Sequence, residues 1–250
     1  EVFGRNNRVS TVTFKQGSAT GHKSINPGCV TTSNFVLIYA KNKAVWAPHR
    51  LFTGRERDPR YNQFIENIDD DFTRWRVTTL TKGYAQLAGV SEQAARAQLK
   101  KAPELLDQFV LEHGRSVVRL ARPDYKGVSA AARELIDKST AAPREIFHLE
   151  RDEHKDFYLI GGERILFYAD KLKLIDGTWT AAEPLTTIWD DIGSNNLHKE
   201  GSVEFPKGKK PEGLIKRVIE LSTDPGDIVL DSFAGSGTTA EAVFDLCSRT

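Results

Sequence analysis

The stretch that most limits what this chain can fold into lies near its end. Thr223-Asp224-Pro225-Gly226 has the composition of a turn, residues 227–231 (Asp-Ile-Val-Leu-Asp) read as a short strand, and Ser232-Phe233-Ala234-Gly235-Ser236-Gly237 reads as a tight loop. From Thr238 onward, Ala240, Val243, Phe244 and Cys247 recur at helical spacing. Strand, glycine loop and helix in that order set the backbone N–H groups of a helix start beside the end of a strand, a place suited to a polar or anionic ligand. Gly235 and Gly237 permit the sharp turn and a close backbone approach, and Asp231 adds a carboxylate at the strand end. Upstream, Pro211 stands at a helix start ahead of Leu214, Ile215, Val218 and Ile219.

A second sheet signal sits near the other end. Val9 to Phe14 alternate as a strand does, and the continuous run Asn34-Phe35-Val36-Leu37-Ile38-Tyr39-Ala40 reads as a strand buried on both faces. Between them, Gln16-Gly17-Ser18-Ala19-Thr20-Gly21-His22-Lys23-Ser24 reads as a loop. From Ala47-Pro48 to about Ile188 the texture changes to helical stretches over 84–99, 104–112 and 129–137, with Ser129 as an N-cap, and a hairpin over 156–168 turning at Gly161-Gly162. These signals predict an α/β fold with an α+β domain inserted between two sheet-forming ends.

Composition narrows the class. With 39% hydrophobic and 28% charged residues the balance is that of a soluble globular protein, and no apolar run approaches the roughly 18 residues of a membrane span. Cys29 and Cys247 form no C-x-x-C pair and no export signal opens the chain, so a reducing cytoplasm is expected. The absence of methionine predicts a fragment of a longer product. The net charge of +1 hides an asymmetry: residues 1–60 hold ten Lys and Arg against Glu1, Glu56 and Asp58. That basic end is expected to meet a polyanion through Lys41, Lys43 and Arg50; a solvated basic face is the plainer alternative.

The wording Lys209-Lys210-Pro211-Glu212-Gly213-Leu214-Ile215-Lys216-Arg217-Val218-Ile219, followed by Pro225-Gly226-Asp227-Ile228-Val229-Leu230-Asp231-Ser232-Phe233-Ala234-Gly235-Ser236-Gly237-Thr238-Thr239, resembles the S-adenosylmethionine-binding end of the amino-methylating DNA methyltransferases, in the group whose catalytic motif precedes the cofactor loop. Glu1-Val2-Phe3-Gly4, Tyr39-Ala40-Lys41-Asn42-Lys43, Trp189-Asp190-Asp191-Ile192 and Phe205-Pro206 look like segments of the modification subunits of type III restriction systems. The resemblance implies a partial Rossmann-like methyltransferase sheet built by residues 1–47 and 186–250, interrupted by a target-recognition insert over 48–185. It implies S-adenosyl-L-methionine as cofactor, with Lys210, Pro211, Asp231, Phe233, Gly235, Ser236, Gly237 and Thr238 around it. Double-stranded DNA, a restriction subunit and a second copy of the chain are the implied partners, and adenine N6 the implied methyl acceptor.

One departure bears on catalysis. The family's tetrapeptide, Asp or Asn-Pro-Pro-aromatic, has no counterpart, because the ten prolines include no adjacent pair. No catalytic residue is therefore assigned, and truncation upstream of Glu1 explains the absence better than divergence. A DNA-binding specificity module or an inactive remnant stays open as an alternative, as does a small-molecule or RNA methyltransferase. Within the insert, Ala85-Gln86-Leu87-Ala88-Gly89-Val90-Ser91-Glu92-Gln93-Ala94-Ala95-Arg96-Ala97-Gln98-Leu99 is similar to a helix-turn-helix whose second helix displays Gln93, Arg96 and Gln98, side chains able to read base edges; a structural helix pair is the alternative. His148, Glu150, Glu153 and His154 lack the P-C-x-x-C partner of a deaminase zinc site and read as a solvated acidic segment.

Overall fold

In the computed structural model, the residues described are 3–17, 28–152, 155–175, 177–193, 197 and 208–248. Among them the chain runs β1 (Arg8–Lys15), β2 (Ser33–Tyr39), β3 (Phe52–Gly54), β4 (Gln63–Ile65), β5 (Val77–Thr79), α1 (Leu80–Leu87), α2 (Glu92–Lys101), α3 (Glu104–Glu112), β6 (Val117–Ala121), α4 (Ala130–Ala141), β7 (Ile146–Leu149), β8 (Phe157–Ile160), β9 (Glu163–Phe167), β10 (Leu172–Ile175), β11 (Thr178–Pro184), β12 (Ile188–Trp189), α5 (Glu212–Ser222) and α6 (Thr238–Ser248). This is a mixed α/β protein. It divides into two compact units: residues 1–51 with 184–250, and residues 52–183.

The first unit holds a three-stranded sheet in the order β12-β1-β2, with β1 antiparallel to β2 and parallel to β12. The alternation read from Val9 to Phe14 sets Val12 and Phe14 on the buried face, against Trp189, Ile192 and Leu214 of α5. Each such side chain withdrawn from water is worth about 2 kcal/mol. Trp189 satisfies its indole N–H by donating to the Thr186 carbonyl at 2.8 Å. The chain leaves this unit after Leu51 and returns at Pro184, and the Leu185 N–H donates to the Leu51 carbonyl at 2.9 Å.

Two apolar runs depart from expectation here. Among the described residues β2 is an edge strand and not one covered on both faces: Val36 and Ile38 face the core, while Phe35 and Leu37 are 65% and 59% exposed. A continuous apolar run has no period to say which face is covered, and the covering is decided by elements distant in sequence. Residues 227–231 are not in a strand; Ile228 and Leu230 are 94% and 86% exposed. Strand propensity is expressed only when another strand supplies the ladder, and among the described residues none pairs with this segment. Most of the loop expected over 16–24 lies outside the described residues, as do Glu1, Val2, Phe205 and Pro206.

The second unit is organised on a six-stranded antiparallel sheet in the order β5-β4-β6-β9-β8-β7. On one face Phe64 and Val117 pack with Leu80 and Tyr84 of α1 and Phe109 of α3, while Ile136 of α4 packs on Phe157 and Leu159. Ile65, Val118, Ile146 and Ile165 form the other face beneath Phe72 and Trp75. Gly83 lets α1 approach β4, since a Cβ there would stand 2.4 Å from the Phe64 ring. The hairpin expected at 156–168 is β8 and β9, turning through Gly161 and Gly162 at φ 57° and 78°. Ser129 caps α4, its hydroxyl accepting from the Ala132 N–H at 3.3 Å. A smaller sheet, β10-β11-β3, completes this unit.

Candidate functional site

The glycine loop is built by its own hydrogen bonds. The Asp231 carboxylate accepts from the Phe233 N–H at 3.1 Å and from the Thr239 hydroxyl at 2.7 Å, so it ties the loop's start to the first turn of α6. Those two donors, the hydroxyl first, hold its carboxyl below the usual aspartate range. Gly237 N–H donates to the Ala234 carbonyl at 2.9 Å, and the Ser236 and Thr238 hydroxyls meet at 2.8 Å. Ala234, Gly235 and Gly237 all have positive φ, at 23°, 59° and 73°. A Cβ on Gly237 would meet nothing within 4 Å, and one on Gly235 only the Phe233 carbonyl at 3.6 Å. The protein itself therefore demands glycine here for backbone conformation and leaves the space beside it open.

That space is a cavity of about 390 Å³ lined by Asp227, Val229, Asp231, Ala234, Gly237, Thr239, Ala240, Val243 and Phe244. Of the residues expected around a cofactor, it brings together Asp231 and Gly237. Phe233 is 92% exposed and Thr238 is buried. Of the Lys-Pro segment, Pro211 occupies the N-cap position of α5, where it is fully buried, Lys209 is buried, and Lys210 is exposed. Which lysine is buried follows from the path of residues 208–211 into the helix, which residue type alone does not reveal.

Sequence reasoning missed the group that joins α5 to α6. Lys216, mostly buried, reaches Glu212 one turn back at 2.6 Å and also Asp245 on α6. Burial opposes its charge, yet hydrogen bonds to Asp245 and Glu212 outweigh it and hold the lysine pKa above its ordinary value. Beside it Arg217 grips Asp191 with both terminal guanidinium nitrogens, at 2.8 and 2.7 Å, and lies 5.2 Å over the Trp189 ring. The i, i+4 spacing of Glu212 and Lys216 was visible in the sequence, but not the approach of Asp245.

The helix pair at 80–101 has the local chemistry expected. Gly89 turns at φ 67°, and the Ser91 hydroxyl caps α2 by accepting from the Ala94 N–H at 3.2 Å. Ala95 is buried; Gln93, Arg96 and Gln98 are exposed. Arg96 is tied to Glu92 at 2.5 Å on its own helix. The basic end separates between the units. Arg55, Arg57 and Arg60 belong to the second and pair with Glu183, Asp107 and Asp58 at 2.6, 2.6 and 2.7 Å. Lys41, Lys43 and Arg50 belong to the first and are exposed, Lys43 opening a 3-10 turn that the Asn42 side chain caps. His148 stands 3.0 Å from Asp156 and stacks on Tyr158; Glu153 and His154 lie outside the described residues.

Comparison with known proteins gives these features a context. The chain is 26% identical over 264 aligned residues to a probable type III restriction-modification enzyme, the HindVI Mod subunit of Haemophilus influenzae, across 96% of the chain and 34% of that protein. It is 43% identical over 72 residues to the StyLTI Mod subunit of Salmonella typhimurium, covering 26% of the chain and 11% of the relative. With the DNA adenine methyltransferase YhdJ of Escherichia coli it shares 68% identity over 91 residues, 33% of the chain and 30% of that enzyme. The chain thus spans about a third or less of the length of these relatives. The model of the N6 and N4 DNA methylases matches residues 1–247, so the chain belongs to the DNA methylase family.

Proposed function

We propose that this chain forms the cofactor-binding and target-recognition parts of a site-specific DNA methyltransferase, the modification component of a restriction-modification system. The observation that carries the reading is the Asp231-anchored glycine loop opening α6, beside a cavity within the size range of small-molecule sites. S-adenosyl-L-methionine, when bound, supplies the electrophilic methyl group that the adenine N6 amino group takes. The chain's own residues fit such a ligand in three respects. The Gly235 and Gly237 positions leave room for close approach, the α6 N-terminus offers N–H groups, and Phe233 offers a free ring face for a flat group. Asp231, its carboxylate already bonded to Phe233 and Thr239, acts chiefly by holding the loop's shape. Lys210, Pro211, Ser236 and Thr238 complete the proposed cofactor residues.

In this reading residues 1–47 and 186–250 belong to a Rossmann-like catalytic core, and residues 48–185 choose the target sequence. Lys41, Lys43 and Arg50 contact the backbone of double-stranded DNA, and Gln93 and Arg96 face base edges. A restriction subunit and a second copy of the polypeptide are the proposed protein partners, in the cytoplasm. The target base leaves the duplex stack to reach the methyl group, and the residues that would grip it are not among those of this chain. Calorimetry with S-adenosylmethionine on the parent methyltransferase tests the cofactor site. A folded Gly235→Leu variant is expected to bind at least tenfold more weakly, because the side chain enters the open space beside the loop. Unchanged affinity would remove the glycine loop from the cofactor site.

A further inference from the structure

The described residues of the second unit contain two arginines whose setting neither the fold nor the cofactor loop explains. Arg151 and Arg164 both lie over the ring of buried Phe157, with guanidinium carbons 5.4 and 4.7 Å from its centroid. Both are half-buried, and Arg164 Nε is buried with no hydrogen-bond partner. Neither has a carboxylate within ion-pair distance among the described residues. Arg151 is instead fixed by the Lys155 carbonyl, to which its Nε donates at 2.9 Å. Asp170, the carboxylate whose charge reaches Arg164, is bound by the Lys155 ammonium. Burial, and then the charge of Arg151, push the Arg164 pKa below its ordinary value.

Half-buried charges are normally paired, because an uncompensated one loses hydration without return. Here two like charges lie over one ring, near enough for the charge of Arg151 to act on Arg164. Contact with the ring, and for Arg151 the Lys155 carbonyl, restricts both side chains in advance, so an oxyanion meets donors at reduced ordering cost. We propose that Arg151 and Arg164 form a phosphate-binding site for the backbone of duplex DNA. This rests on the reading of the chain as part of a DNA methyltransferase, and it puts a backbone contact on residues of the second unit that the charge balance of the sequence does not single out. Phosphate contacts of this kind position a duplex without reading its sequence.

The test uses the full chain, a random-sequence duplex and a salt series from about 50 to 200 mM, over which phosphate contacts show as a slope. The double variant Arg151→Met with Arg164→Met keeps apolar stems on Phe157 while removing both charges. It is expected to bind roughly tenfold more weakly at the middle of the series, with a slope shallower by about 1 to 2. Its melting temperature should equal or exceed that of the parent chain, since the desolvated cations are gone. Arg164→Lys, which keeps the charge and loses the fork, should bind about threefold more weakly with the slope retained, and it carries the test where the double variant does not fold. Wild-type affinity and slope in both variants would overturn the site while leaving the methyltransferase reading intact. Inorganic phosphate bound in a manner these variants abolish, with duplex affinity unchanged, would make it a free-anion site and overturn the backbone assignment. A parent chain that binds no duplex at any salt would overturn both.

Discussion

The protein makes two glycine turns of similar backbone conformation in different surroundings. At the β8–β9 turn, Gly162 has φ 78°, its N–H donates to the buried Ser139 hydroxyl at 3.0 Å, and a Cβ would stand 2.4 Å from the Thr140 hydroxyl. At the loop before α6, Gly235 and Gly237 have φ 59° and 73°, yet their missing side chains face open space. The hairpin turn is flanked by buried Leu159 and Ile165, the loop by exposed Leu230 and Phe233. Both turns need glycine for backbone shape, but only the first also needs it for packing. The turn at Gly162 is filled by the fold, whereas the loop before α6 is left open, as the proposed cofactor site requires.

The sharpest way to break that contrast is a matched pair of substitutions. Gly162→Ala is expected to cost about 3 kcal/mol of unfolding free energy, combining left-handed strain with displacement of Thr140. Gly235→Ala should cost only about 1 kcal/mol, from strain alone. Denaturant titration of both checks it, and equal losses would end the distinction. Lys216→Met asks whether the ground beneath the open loop is itself firmly packed: it leaves Glu212 and Asp245 without their shared cation, and a loss of about 2 kcal/mol is expected. A melt unchanged by this variant would mean that α5 and α6 are joined by apolar contact alone.

The smallest effect concerns pH in the second unit. The Arg60 guanidinium beside Asp58 holds its carboxyl at about 2, against an ordinary 3.8. The folded value is the lower one, so this contribution is fully present above about pH 4 and is lost as pH falls toward 2. Asp58→Asn should therefore destabilise by about 1 kcal/mol at pH 7, allowing for solvent screening, and by almost nothing at pH 2. A difference that persists undiminished at pH 2 would show that Asp58 acts through shape and not charge.

What the sequence makes legible follows from how local each determinant is. α3, α4 with its Ser129 cap and the glycine turn of the hairpin rest on interactions within a few residues, and all appear where the pattern puts them. The apolar runs at 34–40 and 227–231 do not follow the reading, because burial of a strand is decided by partners far along the chain. The loop before α6 is legible as a turn, since positive φ selects glycine directly. The cavity beside it, the burial of Lys209, and the unpaired setting of Arg164 are not. Each depends on where a distant backbone or carboxylate comes to rest.

The hydrogen bond from Leu185 to Leu51 gives the molecule an economy of construction. The second unit's own ends are joined in the same way, with the Arg55 N–H donating to the Ala181 carbonyl at 2.8 Å. From the standpoint of the first unit, an excursion on the order of 130 residues is then topologically equivalent to a tight turn, and its closure entropy is met by the excursion's own folding. Insertions, deletions and wholesale replacement between those two bonds need not alter the register of β1 against β12. The same junction that keeps the polypeptide continuous also lets one half of it diversify without consulting the other.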